Sequence, residues 1–251
     1  MLALGCPTAT PPETTKRFLF AAFLVLLTAG TSLAQSSHPD AQAQRAIAIA
    51  AAAEFQLTDA TSQAFGFTVF QHMVRLREQK TRRELGGAFF QDWFKSVSNA
   101  GRTWDDGGKF FTNYIAHPQG GAVYAHIYRQ NDPGRQRLEV GEPGYGAMVV
   151  RAVAFSAAVS TQFEIGPVSE ASIGNVGMRS PAKMAWVDLV ITPVLGTAWM
   201  VGEDVIDERL LKQMDGANTV LRNTLRFLLN PSRSGANLSR RKWPWFRDRD
   251  G

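Results

Sequence analysis

The chain has 251 residues, with 27 Lys and Arg against 22 Asp and Glu for a formal net charge of +5, and a single cysteine, Cys6. That length suffices for one domain with an ordinary core, and the lone cysteine excludes a thiol nucleophile, a Cys-ligated zinc and a disulfide scaffold from everything after residue 6. Arg240, Arg241, Lys242, Arg247 and Arg249 crowd the C-terminus, which leaves the body nearly neutral and excludes a general nucleic-acid binder, whose basic surface belongs on the fold.

Lys16-Arg17 precedes the apolar run Phe18 to Leu27 and a small-residue stretch ending Ser32-Leu33-Ala34. A positive start, a short apolar core and small residues at the cleavage point predict a signal peptide over residues 1–34, cut before Gln35. The protein is therefore expected to be exported, to the periplasm or to a membrane-peripheral place in a bacterial envelope. A retained anchor is the alternative, although the run is short of the roughly 20 apolar residues that span a bilayer. Lipidation would need a cysteine at the cut, and Cys6 lies upstream of the apolar run.

Residues 35–104 read as N-terminal helices. Ala41 to Phe55 is alanine-rich, a composition that favours helix. In Gly66 to Arg77, the spacing of Phe70, Met73, Val74 and Arg77 is helical, and in Glu84 to Asn99 Leu85, Phe89, Trp93, Phe94 and Val97 form one stripe. Asp105-Asp106-Gly107-Gly108 supplies a turn and an N-cap.

Residues 105–230 form the expected core. A helix over about Lys109 to Gln130 carries Asn113, His117, Gly121, Tyr124 and Tyr128 along one face. Pro118 cannot donate to the carbonyl of Tyr114 and should bend this helix beside His117. After Asp132-Pro133-Gly134, a polar linker containing a candidate short strand at Leu138 to Val140 leads to an apolar helix, Tyr145 to Phe163, charged only at Arg151. Glu164 follows at its end, where burial of a carboxylate would demand a partner. The loop Val168 to Arg179 has little periodicity. Ser180-Pro181 then starts a helix to about Met214, with Asp188, Thr192, Gly196, Trp199 and Glu203 on one face and Pro193 as a second kink. Asn218 to Leu229 makes a short helix stopped by Asn230-Pro231. Six or seven helices with few strand signals predict an all-α, single helical-bundle domain with kinked helices.

Asn113, His117, Glu164, Glu170, Asp188, Thr192 and Glu203 are the candidate polar cluster, with Asn113, His117, Glu164, Glu170 and Asp188 expected to converge where the three long helices meet. Such a cluster serves as a structural hydrogen-bond network, as a cation site, as a hydrolase centre or as a ligand pocket. One imidazole with two or three carboxylates suits a divalent cation, but no His-x-x-x-His or Glu-x-x-His pair is present, so no metal or cofactor is assigned. A hydrolase would place Ser169 or Ser172 near His117, and no Gly-x-Ser-x-Gly elbow occurs. His126, His72 and His38 are read as ordinary histidines, and Arg151 as a side chain that snorkels outward or meets a carboxylate.

Residues 231–251 read as a basic aromatic tail. Arg240, Arg241, Lys242, Trp243, Trp245 and Phe246 combine cations and aromatics as expected at an anionic membrane surface, or else form a solvated, disordered end. The apolar runs Leu189 to Gly202 and Tyr145 to Phe163 look too short or too interrupted to span, and are expected as core helices or as helices partly in a membrane surface.

Asn113-Tyr114-Ile115-Ala116-His117-Pro118 with Gly121 and Tyr124, then Glu164 and Glu170, then Asp188-Leu189-Val190-Ile191-Thr192-Pro193-Val194-Leu195-Gly196, resembles an uncharacterised family of bacterial envelope proteins. That family is known only as a domain of unknown function, with an Asn-Tyr-x-x-His-Pro helix, a Glu-bearing segment and an Asp-Leu-x-x-Thr-Pro helix. The resemblance covers roughly residues 105–235. It implies an exported, largely helical envelope protein, without an activity to transfer. His117, Glu164, Glu170, Asp188 and Thr192 match the pattern. The segment Gly166 to Met178 departs from it, and functions tied to the outer-membrane barrel of longer relatives are not expected of this chain.

The expected role is a structural or binding domain in the periplasm or at a membrane surface. The alternative is a metal-dependent or His/carboxylate hydrolase acting on a lipid or cell-wall component, with His117 as base or ligand and Glu164 or Asp188 as its partner.

Overall fold

One helix, His117–Gln130, is buried on nearly every side from Pro118 onward, and the other long helices are arranged around it. The computed structural model describes residues 54–98, 104, 110–173, 186–214 and 218–248. The expected leader, the helix from Ala41, the 105–108 cluster, Gly174 to Arg179 and the Ser180-Pro181 start all lie outside the described residues. Among the described residues the fold is all-α, with no strand.

The first helix, α1 (Leu57–Arg75), begins earlier than its sequence pattern suggested and runs through Gly66. Its buried stripe is Ala60, Ala64, Thr68 and His72, a four-residue spacing that keeps small groups on one side. The expected helix over Glu84 to Asn99 is two helices, α2 (Gln79–Leu85) and α3 (Phe89–Ser98). Gly86-Gly87 separates them, because glycine is a poor helix former. Trp93 Nε1 donates to the carbonyl of Ile165 at 2.9 Å and docks α3. Phe94, expected on the packed stripe, is exposed, as is Phe90.

The central helix α4 (His117–Gln130) is entered through a π turn, Thr112–Ala116, whose last bond runs from the His117 N–H to the carbonyl of Thr112. The expected bend at Pro118 thus takes the form of a register shift. Proline has no N–H to lose, so the change from wide to ordinary helical bonding falls where no donor is wasted.

Next come α5 (Tyr145–Ile165) and α6 (Trp186–Ile206), the latter with Pro193 inside it. The candidate strand at Leu138 to Val140 does not form. The Val140 N–H donates to the Glu208 carboxylate at 2.9 Å. A second π turn, Asp207–Leu211, and a short 3-10 turn, Lys212–Met214, follow α6. Asn218 caps α7 (Thr219–Leu229) through its Oδ1, which accepts from the Val220 N–H at 2.9 Å. Pro231 then opens α8 (Pro231–Ser239) rather than a free tail.

Directions follow from the contacts. His117 faces Asp188, and Arg129 faces Asp204, so α4 and α6 run parallel. Tyr145 reaches Asp204 whereas Glu164 reaches His117, so α5 runs antiparallel to both. The pair α4 and α6 touch backbone to backbone. A Cβ on Gly121 would sit 1.9 Å from the Thr192 carbonyl oxygen, and one on Gly196 would sit 2.7 Å from Gly121 Cα. Ala122, Ala125, Met148, Ala152 and Met200 fill the space between α4, α5 and α6. Each fully buried large apolar side chain there stabilises by about 1.5–3 kcal/mol.

Candidate functional site

The glycine crossing fixes the register of α4 against α6, and His117, one turn before Gly121, consequently meets Asp188, two turns before Gly196. Glu164 arrives from the end of α5. His117 Nδ1 lies 3.8 Å from Glu164 Oε1, and Nε2 lies 3.9 Å from Asp188 Oδ1. Both carboxylates are buried and the imidazole is slightly exposed. These separations exceed a hydrogen bond. Asn113 is buried in the π turn beneath His117.

A cleft of about 120 Å³ opens above this cluster, lined by Gln71 and Arg75 of α1, His117 and Tyr124 of α4, Ser160 of α5 and Thr192 of α6. The buried hydroxyls Ser160 Oγ and Thr192 Oγ1 have no hydrogen-bond partner among the described residues. Phe163 forms an apolar wall, stacked on His72 at 4.9 Å and edge-on to His117. The Tyr124 hydroxyl donates to Gln71 Oε1 at 2.7 Å and meets Thr68 Oγ1 at 2.9 Å. Burial raises its pKa, so it stays a neutral donor.

Glu170 comes back to the site on a loop that folds onto the end of α5, with its N–H donating to the Phe163 carbonyl at 2.8 Å. Its carboxylate meets His72 at 3.3 Å and Arg75 at 3.6 Å. His72, read from the sequence as ordinary, is therefore part of this neighbourhood. Burial works against the charge of Arg75, but Glu170, Glu78 and Glu164 outweigh it and raise its pKa. Ser169 and Ser172, the serines a hydrolase would place near His117, bond to each other. Ser172 Oγ donates to the Ser169 carbonyl and accepts from the Ser169 N–H, both at 2.8 Å, closing the turn on itself.

Glu203 belongs elsewhere. Fifteen residues of helix separate it from Asp188, about 22 Å, so the two cannot share one site. It lies instead at the far end of α4 and α6, where His126 Nε2 is 3.1 Å away and Trp199 Nε1 donates at 3.0 Å. The backbone N–H groups of Ser232 and Arg233 donate to it at 2.9 Å, so a side chain of α6 caps the N-terminus of α8. Burial pushes the Glu203 carboxyl up, but these donors hold it below its usual range. Burial lowers the pKa of His126, which leaves it neutral, with Nε2–H donating to the ionised Glu203.

Beside this pair, Asp204 accepts from Tyr145 at 2.6 Å and is paired with Arg129 and Arg233. Burial opposes its charge, but the two guanidinium groups hold its pKa at about 2. Asp207, on the second π turn, accepts from Arg233, Arg247 and Asn230. Arg247, expected in a free tail, is buried. Asn237 Nδ2 donates to the carbonyls of Pro244 and Phe246, and Arg240 pairs with Asp248 at 2.8 Å. The end of the chain through Asp248 is thus packed onto the fold. Arg241, Lys242 and Trp243 stay exposed, with Trp243 stacked on Trp245 at 5.3 Å.

The sequence stripes therefore resolve into two polar clusters. One holds His117, Glu164 and Asp188 with Thr192, Asn113 and, across Phe163, Glu170. The other holds Glu203 with partners the sequence had left unassigned: His126, Arg129, Asp204, Asp207, Arg233 and Arg247. No protein-family model, curated protein or solved structure matches the chain.

Proposed function

We propose that this chain is a helical domain of the bacterial envelope that binds an anionic lipid surface through its outer apolar faces. The observation that carries this reading is the polarity of α6. That helix buries Asp188, Thr192, Thr197, Glu203 and Asp204 while Leu189, Val190, Val194 and Leu195 remain partly uncovered. The short helix α7 repeats the inversion, burying Arg226 and exposing Val220, Leu221 and Leu228. Apolar surface of this extent needs an apolar neighbour.

α5 and α6 are long and apolar enough to cross a membrane by length and composition, and only 33% and 44% of their apolar windows are buried. The helices extend past the runs that the sequence marked, Tyr145 to Phe163 and Leu189 to Gly202. Surface attachment remains the reading, because the charged groups of α6 are paired to α4 and α8 on the protein side. Lipid is favoured as the occupant by Arg241, Lys242 and Trp243, which stand exposed together near Leu238. Cations beside an indole fit the headgroup layer of an anionic leaflet.

Flotation of the purified chain with vesicles tests this. The chain is expected to rise with phosphatidylglycerol-containing vesicles and to stay down with neutral phosphatidylcholine ones. Arg241→Ser with Lys242→Ser removes two cations worth about 1 kcal/mol each, so binding should weaken about 30-fold. A chain that stays at the bottom with both vesicle types refutes the proposal.

A further inference from the structure

The cluster at the mouth of the cleft supports more than docking. One nitrogen donor and two carboxylate donors come from three different helices, His117 of α4, Glu164 of α5 and Asp188 of α6. One ring nitrogen and one oxygen from each carboxylate lie within 4.8 Å of one another. Ligand atoms about 2.1 Å from a single ion stand about 3.4 Å apart at a tetrahedral angle and about 4.2 Å apart when opposed. Only one ring nitrogen can face a given ion, and the separations at the two edges of the ring, Nδ1 to Glu164 Oε1 at 3.8 Å and Nε2 to Asp188 Oδ1 at 3.9 Å, each fall in that interval. They are too long for direct hydrogen bonds.

A second, independent observation points the same way. Ser160 and Thr192 are more than nine-tenths buried, line the cleft that His117 enters, and have hydroxyls without a partner among the described residues. Buried hydroxyls without a partner call for an oxygen-bearing occupant. The π turn that delivers His117 is a helical irregularity frequent at functional sites.

We infer that His117, Glu164 and Asp188 bind one first-row transition dication of the zinc class. Its remaining coordination positions face the cleft, where Ser160 and Thr192 reach an ion-bound water or small oxygen ligand. A mixed imidazole and carboxylate set suits Zn²⁺ or Mn²⁺ better than the hard, all-oxygen cages of Ca²⁺ and Mg²⁺. Three protein ligands with an open side match a site that presents its ion rather than one that merely braces the fold. The glycine crossing keeps two of the ligands in register, and Phe163 shields the imidazole from the side.

The test uses the tag-free full chain, freed of metal with a chelator and titrated with Zn²⁺ or Co²⁺ alone. One ion per chain is expected, with a visible Co²⁺ absorption that Zn²⁺ abolishes. Asp188→Asn and His117→Gln should each weaken Zn²⁺ binding by about 100-fold or more, while Glu142→Gln, on the exposed linker, leaves it unchanged. Should either variant fail to fold, the Co²⁺ spectrum of the unmodified chain and its displacement by Zn²⁺ decide alone. A chain that takes up no stoichiometric Zn²⁺ and leaves the Co²⁺ spectrum that of the free ion overturns the inference. So does binding that survives both substitutions. Vesicle flotation reads the lipid proposal separately, and neither failure implies the other.

Discussion

The two ends of the parallel pair α4 and α6 use similar side chains in opposite ways. At the Glu203 end, carboxylates meet donors at hydrogen-bond distance: Asp204 takes Tyr145, Glu203 takes His126 and two backbone N–H groups, and Asp207 takes Arg247. At the Asp188 end, the imidazole stands 3.8 and 3.9 Å from its carboxylates, and two buried hydroxyls face a cleft. One end is a brace holding α4, α5, α6 and α8 together, with a cleft of only about 20 Å³ beside it. The other spends the same chemistry on an opening. Burial of polar groups is thus a poor guide to purpose, and the distances between them are a better one.

The contrast is broken most forcefully at Asp204. Replacing it with Asn leaves the buried Arg129 without its carboxylate and Arg233 with Asp207 alone, and breaking such a pair costs about 3–5 kcal/mol. Asp188→Asn in the metal-free chain should cost less than Asp204→Asn, because Asp188 meets one imidazole at 3.9 Å whereas Asp204 meets two guanidinium groups and a tyrosine hydroxyl. Denaturant titration of the two variants measures both. Equal losses would erase the distinction between brace and cleft.

A change at the crossing should affect both ends together. Gly121→Ala drives a Cβ into the Thr192 carbonyl, and backbone cannot yield as a flexible side chain does. A loss of about 3 kcal/mol is expected, with weaker Zn²⁺ uptake alongside a lower melting point. Retention of both would mean that the crossing does not set the register of His117 against Asp188.

Acid sharpens the comparison more gently. The depressed pKa of Asp204, about 2 in the fold against an ordinary 3.8, contributes stability that is present above about pH 4. It is lost as pH falls through 2, and amounts to about 2 kcal/mol. His126 has a folded pKa below its ordinary 6.5, so the unfolded chain takes up that proton first. Stability should therefore begin to fall as pH drops below about 6.5. Denaturant midpoints between pH 8 and pH 2 follow both limbs, and His126→Asn should flatten the upper one. A wild-type profile that is level from pH 7 to pH 5 would contradict a neutral, buried His126.

Much of this was legible in the sequence because helical spacing is local. The faces carrying His117, Gly121 and Tyr124, and Asp188, Thr192 and Gly196, follow from four-residue steps. Glu203 shares the stripe of Asp188, but a stripe says nothing about which end of a long helix meets which partner. The role of His126 was hidden for the same reason, since its partners come from α6 and α8. Composition also misled at the C-terminus. A run of cations and aromatics reads alike whether it is solvated or anchored by Arg247 on Asp207, and only tertiary pairing separates the two. The apolar residues of α7 share one face, but amphipathicity gives the pattern without its direction, and that face points outward.

The π turn before His117 has an evolutionary corollary. One residue fewer between Phe111 and His117 would restore an ordinary helix and swing everything upstream about 100° around the axis. Asn113 would leave the interior, and Phe110 and Phe111, now facing outward, would point elsewhere. A single codon gained or lost at this spot therefore re-aims the approach to the cleft while leaving the imidazole where the glycine crossing holds it.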